Sequence, residues 1–434
     1  MGRAEKILNR LHLSKPQRKF LLTLMSTILV ARGKINFRNL SRYSDVSEKT
    51  YSRQFAKPFN FVAFNREVIN EVIGKDSERI VAFDPTFIPK SGKQTYGLDY
   101  FWNGCHSRAE KGLEISSVAI VDIQQNTGFT LSATQTVPSQ DEPQPSETSK
   151  QEAQKTDKRK KKTKGQTQVK KPRRRYKDGD ETLIDQYLQQ VRDVKPVLLP
   201  CEKYTVVDGS FSKKNFVDGV CELDLHVVGK LRCDANMRYL YTGPKREKGS
   251  GRQKTYDGKV DWQDLSRFEY VDTKDGIEVY TLVLNHVSLK DNLKVVVLLD
   301  SRKKDKVRYA LLFSTDINLS ALTLYRYYKA RFQIEFIFRD AKQSTGLCDS
   351  QARDPERLNF HFNASLTTLN LAKLEHLQAQ SDTEPMAFSM ASVKACYFNA
   401  YFIQKIFSML GFDPSWIEKS PEYQKLRNYG KLSA

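Results

Sequence analysis

From Pro138 to Asp180 the chain carries almost no apolar side chains and is rich in Pro, Ser, Gln and Lys. Such a stretch cannot bury enough surface to offset the entropy lost on ordering, so it reads as a disordered insertion between folded segments. Within it, Lys155 to Lys177 holds 13 Lys or Arg and one Asp, which supplies 12 of the chain's net charge of +20. The overall excess, 71 Lys and Arg against 51 Asp and Glu, points to a polyanionic partner, nucleic acid first. Because so much of it sits in one tract, the charge alone is a weaker pointer than it looks. A run of this kind reads as a solvated linker, as a nuclear-localisation signal or, beside a DNA channel, as a source of non-specific, salt-sensitive affinity.

At 434 residues and 39% hydrophobic composition the chain is long enough for two or three domains and a sizeable core. Its six cysteines, Cys105, Cys201, Cys221, Cys233, Cys348 and Cys396, form no CxxC pair and lie far apart. That spacing is expected of buried thiols in a reducing cytosol rather than of a zinc site. The longest apolar stretch, Phe20 to Val30, is interrupted by Thr23, Ser26 and Thr27 and is far shorter than the roughly 20 residues a membrane span needs. No secretory signal precedes it, so a cytoplasmic protein with no membrane partner is expected.

Ser14 and Pro16 mark a helix start, the apolar run to Val30 forms its body, and Gly33 suits its stop. Phe37 to Tyr43 then reads as a short helix, Ser44-Asp45-Val46 as a turn, and Ser47 as the cap of a helix bearing Lys49 and Arg53. The pattern resembles a helix-turn-helix, whose second helix would carry Lys49 and Arg53 into a major groove. A small helical bundle with a solvated face fits it equally. Next the period changes: Ile80-Val81-Ala82-Phe83 runs into Asp84, and Glu114 to Asp122 and Gly128 to Thr136 read as two further strands. After the polar insertion come a helix from Glu181 to Val194, a strand from Tyr204 to Val207 ending at Asp208, a helix near Ser212 to Asp218 and a strand from Asp224 to Leu231. The order is β-β-β-α-β-α-β. Arg232 to about Thr315 is again β-rich, with Phe268 to Asp272, Ile277 to Asn285, Leu293 to Leu299 and Val307 to Phe313 as strands. A long helix from about Ser320 to Lys342 follows, and Phe388 to Leu410 reads as helix with aromatic faces.

Asp84 closes one apolar strand, Asp208 closes another, and Glu335 lies in the late helix, so three carboxylates far apart in sequence can converge at strand ends. Singly, each reads as a cap or turn residue. Together they suit Mg²⁺, which prefers hard oxygen ligands. Phosphodiester cleavage needs an activated water or hydroxyl and a means of neutralising the phosphate, and two Mg²⁺ ions about 4 Å apart supply both. In YKARFQIEFIFRDAK, the residues Tyr328, Arg331, Glu335 and Lys342 stand at offsets 0, 3, 7 and 14. On a continuous helix, at about 100° per residue, they fall within roughly a 60° arc. A stripe of cations and a phenol about a carboxylate suits a phosphate backbone lying along it, and a salt-bridged surface face centred on Arg331 and Glu335 is the alternative. Lys90 and Lys93, after the first Asp, are candidate phosphate contacts or else solvated loop lysines.

The spacing Tyr-x2-Arg-x3-Glu-x6-Lys resembles the signature of bacterial insertion-sequence transposases of the DDE type, in particular the insertion sequence 4 group. AFDPTFIPKSGK and VVDGSFSKKNF are similar to that family's segments around its two aspartates. The strand and helix order resembles its ribonuclease H-like core, and the β-rich stretch before the Glu helix resembles its insertion. The resemblance implies that Asp84, Asp208 and Glu335 are catalytic metal ligands for two Mg²⁺ ions, with Mn²⁺ as a substitute. By the same resemblance Tyr328, Arg331 and Lys342 hold the backbone of the element's end. Trp262 is implied either to stack on a flipped base or to be a core tryptophan.

The implied activity is cut-and-paste transposition at DNA in a bacterial cytoplasm. Its partners are double-stranded DNA, as terminal inverted repeats and target, and a second copy of the chain on paired ends, with a hairpin intermediate. A catalytically silent DNA-binding descendant and a simple metal-dependent nuclease are the alternatives. The expected fold class is α/β, a ribonuclease H-like core with a β-rich insertion plus helical N-terminal and C-terminal regions. The expected division is a helical DNA-end-binding domain over 1–75, core over 76–231 with the basic insertion at 138–180, insertion subdomain over 232–315, the rest of the core over 316–375, and C-terminal helices over 376–434.

Overall fold

The computed structural model describes residues 2–138, 182–244, 252–300, 302, 308–379, 387–413, 415 and 417–432. The basic tract 155–177, and with it nearly all of the polar insertion, lies outside the described residues.

Five helices open the chain: α1 (Gly2–Arg10), α2 (Lys15–Val30), α3 (Phe37–Leu40), α4 (Glu48–Phe55) and α5 (Phe61–Val72). Ser14 caps α2 by accepting from the Gln17 amide at 3.4 Å, and Ser47 caps α4 by accepting from Thr50 at 3.2 Å. Each such cap contributes about 1 kcal/mol. The helix α1, ahead of the expected start, buries only Ala4, Ile7 and Leu8, too short a stripe to stand out in sequence. The bundle closes around Leu24, Ile28, Tyr51, Phe55 and Phe64.

The remaining core is a mixed α/β structure built on one 12-stranded sheet. The strands β1 (Arg79–Pro89), β2 (Asp99–Asn103), β3 (Arg108–Asp122) and β4 (Thr127–Thr136) precede α6 (Leu183–Val194), β5 (Tyr204–Val206), α7 (Lys214–Cys221) and β6 (His226–Leu231). β1 is antiparallel to β3 and parallel to β5, which is parallel to β6, while β2 and β4 share the outer edge of the long β3. Reading across, β4-β3-β1-β5-β6 is the arrangement a ribonuclease H-like core requires. The next strands do not form a second sheet: β12 (Arg308–Ser314) pairs antiparallel with β6 and extends the same one through β11 (Asp291–Asp300), β10 (Ile277–His286), β7 (Met237–Leu240) and β8 (Tyr256–Lys259), with β9 (Glu269–Lys274) on β10.

Strand alternation sorts β1 onto two faces. Val81 and Phe83 pack with Tyr187 and Leu188 of α6 and Phe216 of α7, whereas Ile80, Ala82 and Ile88 pack with the late helices α8 (Ala321–Ala330), α9 (Gln333–Asp340) and α10 (Pro355–Ala379). The unpaired edge of β4 is covered by α10. Asn363 bonds both the amide and carbonyl of Ala133, at 3.3 and 2.9 Å, and Asn370 does the same to Thr130 at 3.0 and 2.7 Å. Side-chain amides thereby replace the strand an open edge would otherwise recruit.

Three expectations are corrected. Asp84 lies inside β1, which continues to Pro89, not at the strand's end. The single helix from Ser320 to Lys342 is instead α8, a break at Arg331 and Phe332, α9 and a π-helical turn over Ala341–Thr345. At the break the amides of Ile334 and Glu335 reach back only three residues, to Arg331 and Phe332, so the helix tightens and re-aims the chain. Cysteine burial also fails: Cys105, Cys201 and Cys233 are exposed and the other three are half-buried.

Candidate active site

Asp84 projects from β1 on the face covered by the late helices, as its alternation with Ile80 and Ala82 dictates. Asp208 follows β5, two residues beyond the Ala82–Val206 pair that joins the two parallel strands, as Asp84 does on β1. Neighbouring strands lie about 4.8 Å apart, so the sheet itself sets these two carboxylates side by side. Asp208 also caps a short 3-10 turn (Gly209–Phe211), its Oδ1 accepting from the Ser210 amide at 2.7 Å and hydroxyl at 2.6 Å.

Glu335 arrives from the opposite layer, in the first turn of α9. The Arg331 guanidinium joins the two layers, donating to Asp84 Oδ2 at 3.1 Å and to Glu335 Oε1 at 2.9 Å. Burial pushes the Asp84 carboxyl up to about 7; Arg331 opposes that rise, and the charges of Asp208 and Glu335 add to it. Three carboxylates against one guanidinium leave a charge of −2 when all are ionised. The buried Nε of Arg331 has no hydrogen-bond partner.

The donor set suits a hard divalent cation: three carboxylates, an unbalanced negative charge, and a carboxyl whose deprotonation costs energy until a cation arrives. As arranged, however, Arg331 stands where a cation would serve Asp84 and Glu335. No cluster of three or more His, Cys, Asp or Glu side chains among the described residues is set close enough to ligate an ion.

Although the helix is broken, the residues of the Tyr-Arg-Glu-Lys spacing still face β1. Lys342 donates to the Thr86 hydroxyl at 2.8 Å, and Thr86 sits two residues from Asp84 on the same strand face. Burial lowers the Lys342 pKa. Tyr328 is half-buried, with the Arg331 guanidinium 5.8 Å from its ring centre, and burial raises its phenol. Thr86 was missed by sequence reasoning; strand alternation from Asp84 is the signal that finds it.

The remaining candidates lie elsewhere. Lys90 is tied to the backbone carbonyls of Ser350 and Ala352 at 2.5 and 3.3 Å, which holds the loop after β1 against the segment before α10. Lys93 is exposed, and so are Lys49 and Arg53 on α4. Trp262 is half-buried: its indole donates to the Ala235 carbonyl at 3.2 Å and its ring lies 6.2 Å from Phe268, within the core behind β10 and β11.

Among the described residues no helix is long and apolar enough to cross a membrane. No curated protein matches the chain. The family model described as "DDE superfamily endonuclease" matches residues 10–276, a span that contains Asp84 and Asp208 and stops short of Glu335. This match covers more than half of the 434 residues, and the chain belongs to the DDE superfamily endonuclease family.

Proposed function

We propose that this endonuclease-family chain is a DDE transposase of the insertion sequence 4 type, cutting DNA at the ends of a bacterial mobile element and joining those ends to target DNA. The observation that carries the reading is the Arg331 bridge between Asp84 on the sheet and Glu335 on the helix, beside Asp208 just past the end of the neighbouring strand. Asp84, Asp208 and Glu335 would hold Mg²⁺, or Mn²⁺ in its place, in two sites. Bound there, the ions supply an activated attacking oxygen and neutralise charge on the phosphate.

The protein's own work is positioning. In-line displacement at phosphorus, first by water and then by the freed 3′ hydroxyl, needs the DNA held still and its charge offset. Arg331, once released from the two carboxylates, carries its guanidinium to a backbone phosphate, for which its fork geometry is suited. Tyr328 and Lys342, on the same face, hold the adjoining backbone. Lys49 and Arg53, exposed on a helix capped by Ser47, are assigned to the element's end as part of a DNA-binding unit over residues 1–75. Two copies would act on paired ends.

A cutting-only endonuclease is the second reading, favoured by membership of an endonuclease family. Excision from a plasmid carrying the gene's native flanking DNA separates the two. The transposase reading expects Mg²⁺-dependent release of the element and its insertion elsewhere, both lost in Glu335→Ala. Cutting without joining would leave the nuclease reading, and binding without cutting in either chain would leave an inactive descendant.

A further inference from the structure

Four cations line one open cleft, of about 620 Å³, between the N-terminal bundle, the π-helical turn and the C-terminal helix α11 (Met390–Met409). They are Arg32 and Lys34, which are exposed, and Lys342 and Lys394, whose ammonium groups donate to neutral oxygens, the Thr86 hydroxyl and the Ser344 carbonyl. The one carboxylate lining the cleft among the described residues, Asp349, accepts from the Ile35 amide at 2.8 Å and partly offsets the charge of Lys394, one carboxylate against four basic side chains. Like charges gathered around a shared space repel one another, and an anion placed there relieves them.

The cleft is built from parts far apart in sequence. Asn39 donates to the carbonyls of Arg32 and Lys34, both at 2.8 Å, and so fixes the loop that presents the first two cations. Gly346, at φ +78°, lets the chain turn so close to Ile35 that a Cβ would stand 2.3 Å from that side chain. Lys394 donates to the Ser344 carbonyl at 2.8 Å, and burial lowers its pKa to about 8. The Arg32 guanidinium lies 3.8 Å above the Phe398 ring. The π turn places Lys342 between the two sites: it lines the cleft, and its ammonium donates to Thr86 of β1.

From these observations we infer that the cleft binds phosphodiester backbone, carrying a DNA strand from the carboxylate site past Lys342 to Arg32, Lys34 and Lys394. The inference rests on the reading of this chain as a DNA-cutting enzyme and adds a strand path to it. A free polyphosphate offers the same chemistry. The strand is preferred because Lys342 is common to the cleft and to the Asp84 face of β1, a continuity an isolated anion has no use for.

The test is binding of a fluorescent duplex bearing the gene's native flanking sequence, without Mg²⁺, over a salt series, for the full chain and for Arg32→Gln/Lys34→Gln. Both positions are exposed loop residues, and Lys34→Gln alone is the milder companion. Each lost phosphate contact lowers the log–log salt slope by about 1, so the double variant should lose about 2 and the single about 1. An unchanged slope in the double variant, with the wild-type chain binding normally, overturns the cleft and leaves the DNA reading intact. A wild-type chain that binds no duplex overturns both. Inorganic tripolyphosphate that displaces the duplex from wild type at concentrations too low to act through ionic strength would assign the cleft to a small polyphosphate and overturn the strand path.

Discussion

Two ion clusters sit on the same strand, five residues apart, and they are built on opposite plans. At the start of β1, Arg79 and the α5 residue Arg66 converge on Glu202, whose side chain is fully buried. Arg66 holds that carboxylate with both terminal nitrogens, at 2.9 and 2.7 Å. The Leu199 amide donates to the same carboxylate at 3.0 Å, and Nη2 of Arg79 donates to the carbonyls of Ile73 and Gly74 at 3.3 and 2.6 Å. Both oxygens of Glu202 are answered by protein, and the buried Nε atoms of Arg66 and Arg79 lack a hydrogen-bond partner, as that of Arg331 does. At Asp84 the balance is reversed: one guanidinium faces three carboxylates, and Asp84 is pushed up to about 7. A cluster that holds a fold together is closed by its own chain, whereas this one is closed only when something positively charged is added.

The largest effect that tests this contrast comes from the closed cluster. Glu202→Gln strands two buried guanidiniums and should cost about 3–5 kcal/mol of stability in chemical denaturation. Asp84→Asn, which removes a carboxylate from an over-supplied cluster, should leave metal-free stability unchanged or raise it. Equal losses in the two variants would break the comparison.

A smaller effect sharpens it through pH. An unfolded aspartate titrates near about 3.9, whereas Asp84 in the fold stays protonated up to about 7. Between those values the folded chain holds a proton the unfolded chain has released, so this group's contribution to stability falls as pH rises through the window. Metal-free wild type should therefore lose stability relative to Asp84→Asn between about pH 4 and pH 7, with the difference flat above. Parallel pH curves for the two chains would contradict the shifted carboxyl.

Much of this frame is legible in residues because it is local. The alternation of Ile80-Val81-Ala82-Phe83 sets Asp84 on one face of β1, and Ser14 and Ser47 announce their helices. What escaped depends on distant partners. β2, with sequence DYFWN, gains its strand character from pairing with β3, and β12 joins β6 across some 75 intervening residues, a pairing with no local signature. The break at Arg331 is likewise set by tertiary demand: helix propensity runs unbroken through YKARFQIEF, but the guanidinium turns inward to Asp84. A wheel drawn on an ideal helix likewise gives no sign that two of the residues it groups, Arg331 and Lys342, are joined to β1.

The most direct measurement is on Asp208→Ala, because Asp208 takes no part in the Arg331 bridge and among the described residues its side chain hydrogen-bonds only to Ser210. With Mg²⁺ and DNA bearing the native flanking sequence, the account predicts cutting reduced by about 10³-fold or more. Thermal stability and DNA binding should stay close to wild type. Cutting retained at wild-type rate by a folded, DNA-bound Asp208→Ala chain would contradict the assignment of Asp84, Asp208 and Glu335 to one shared metal site.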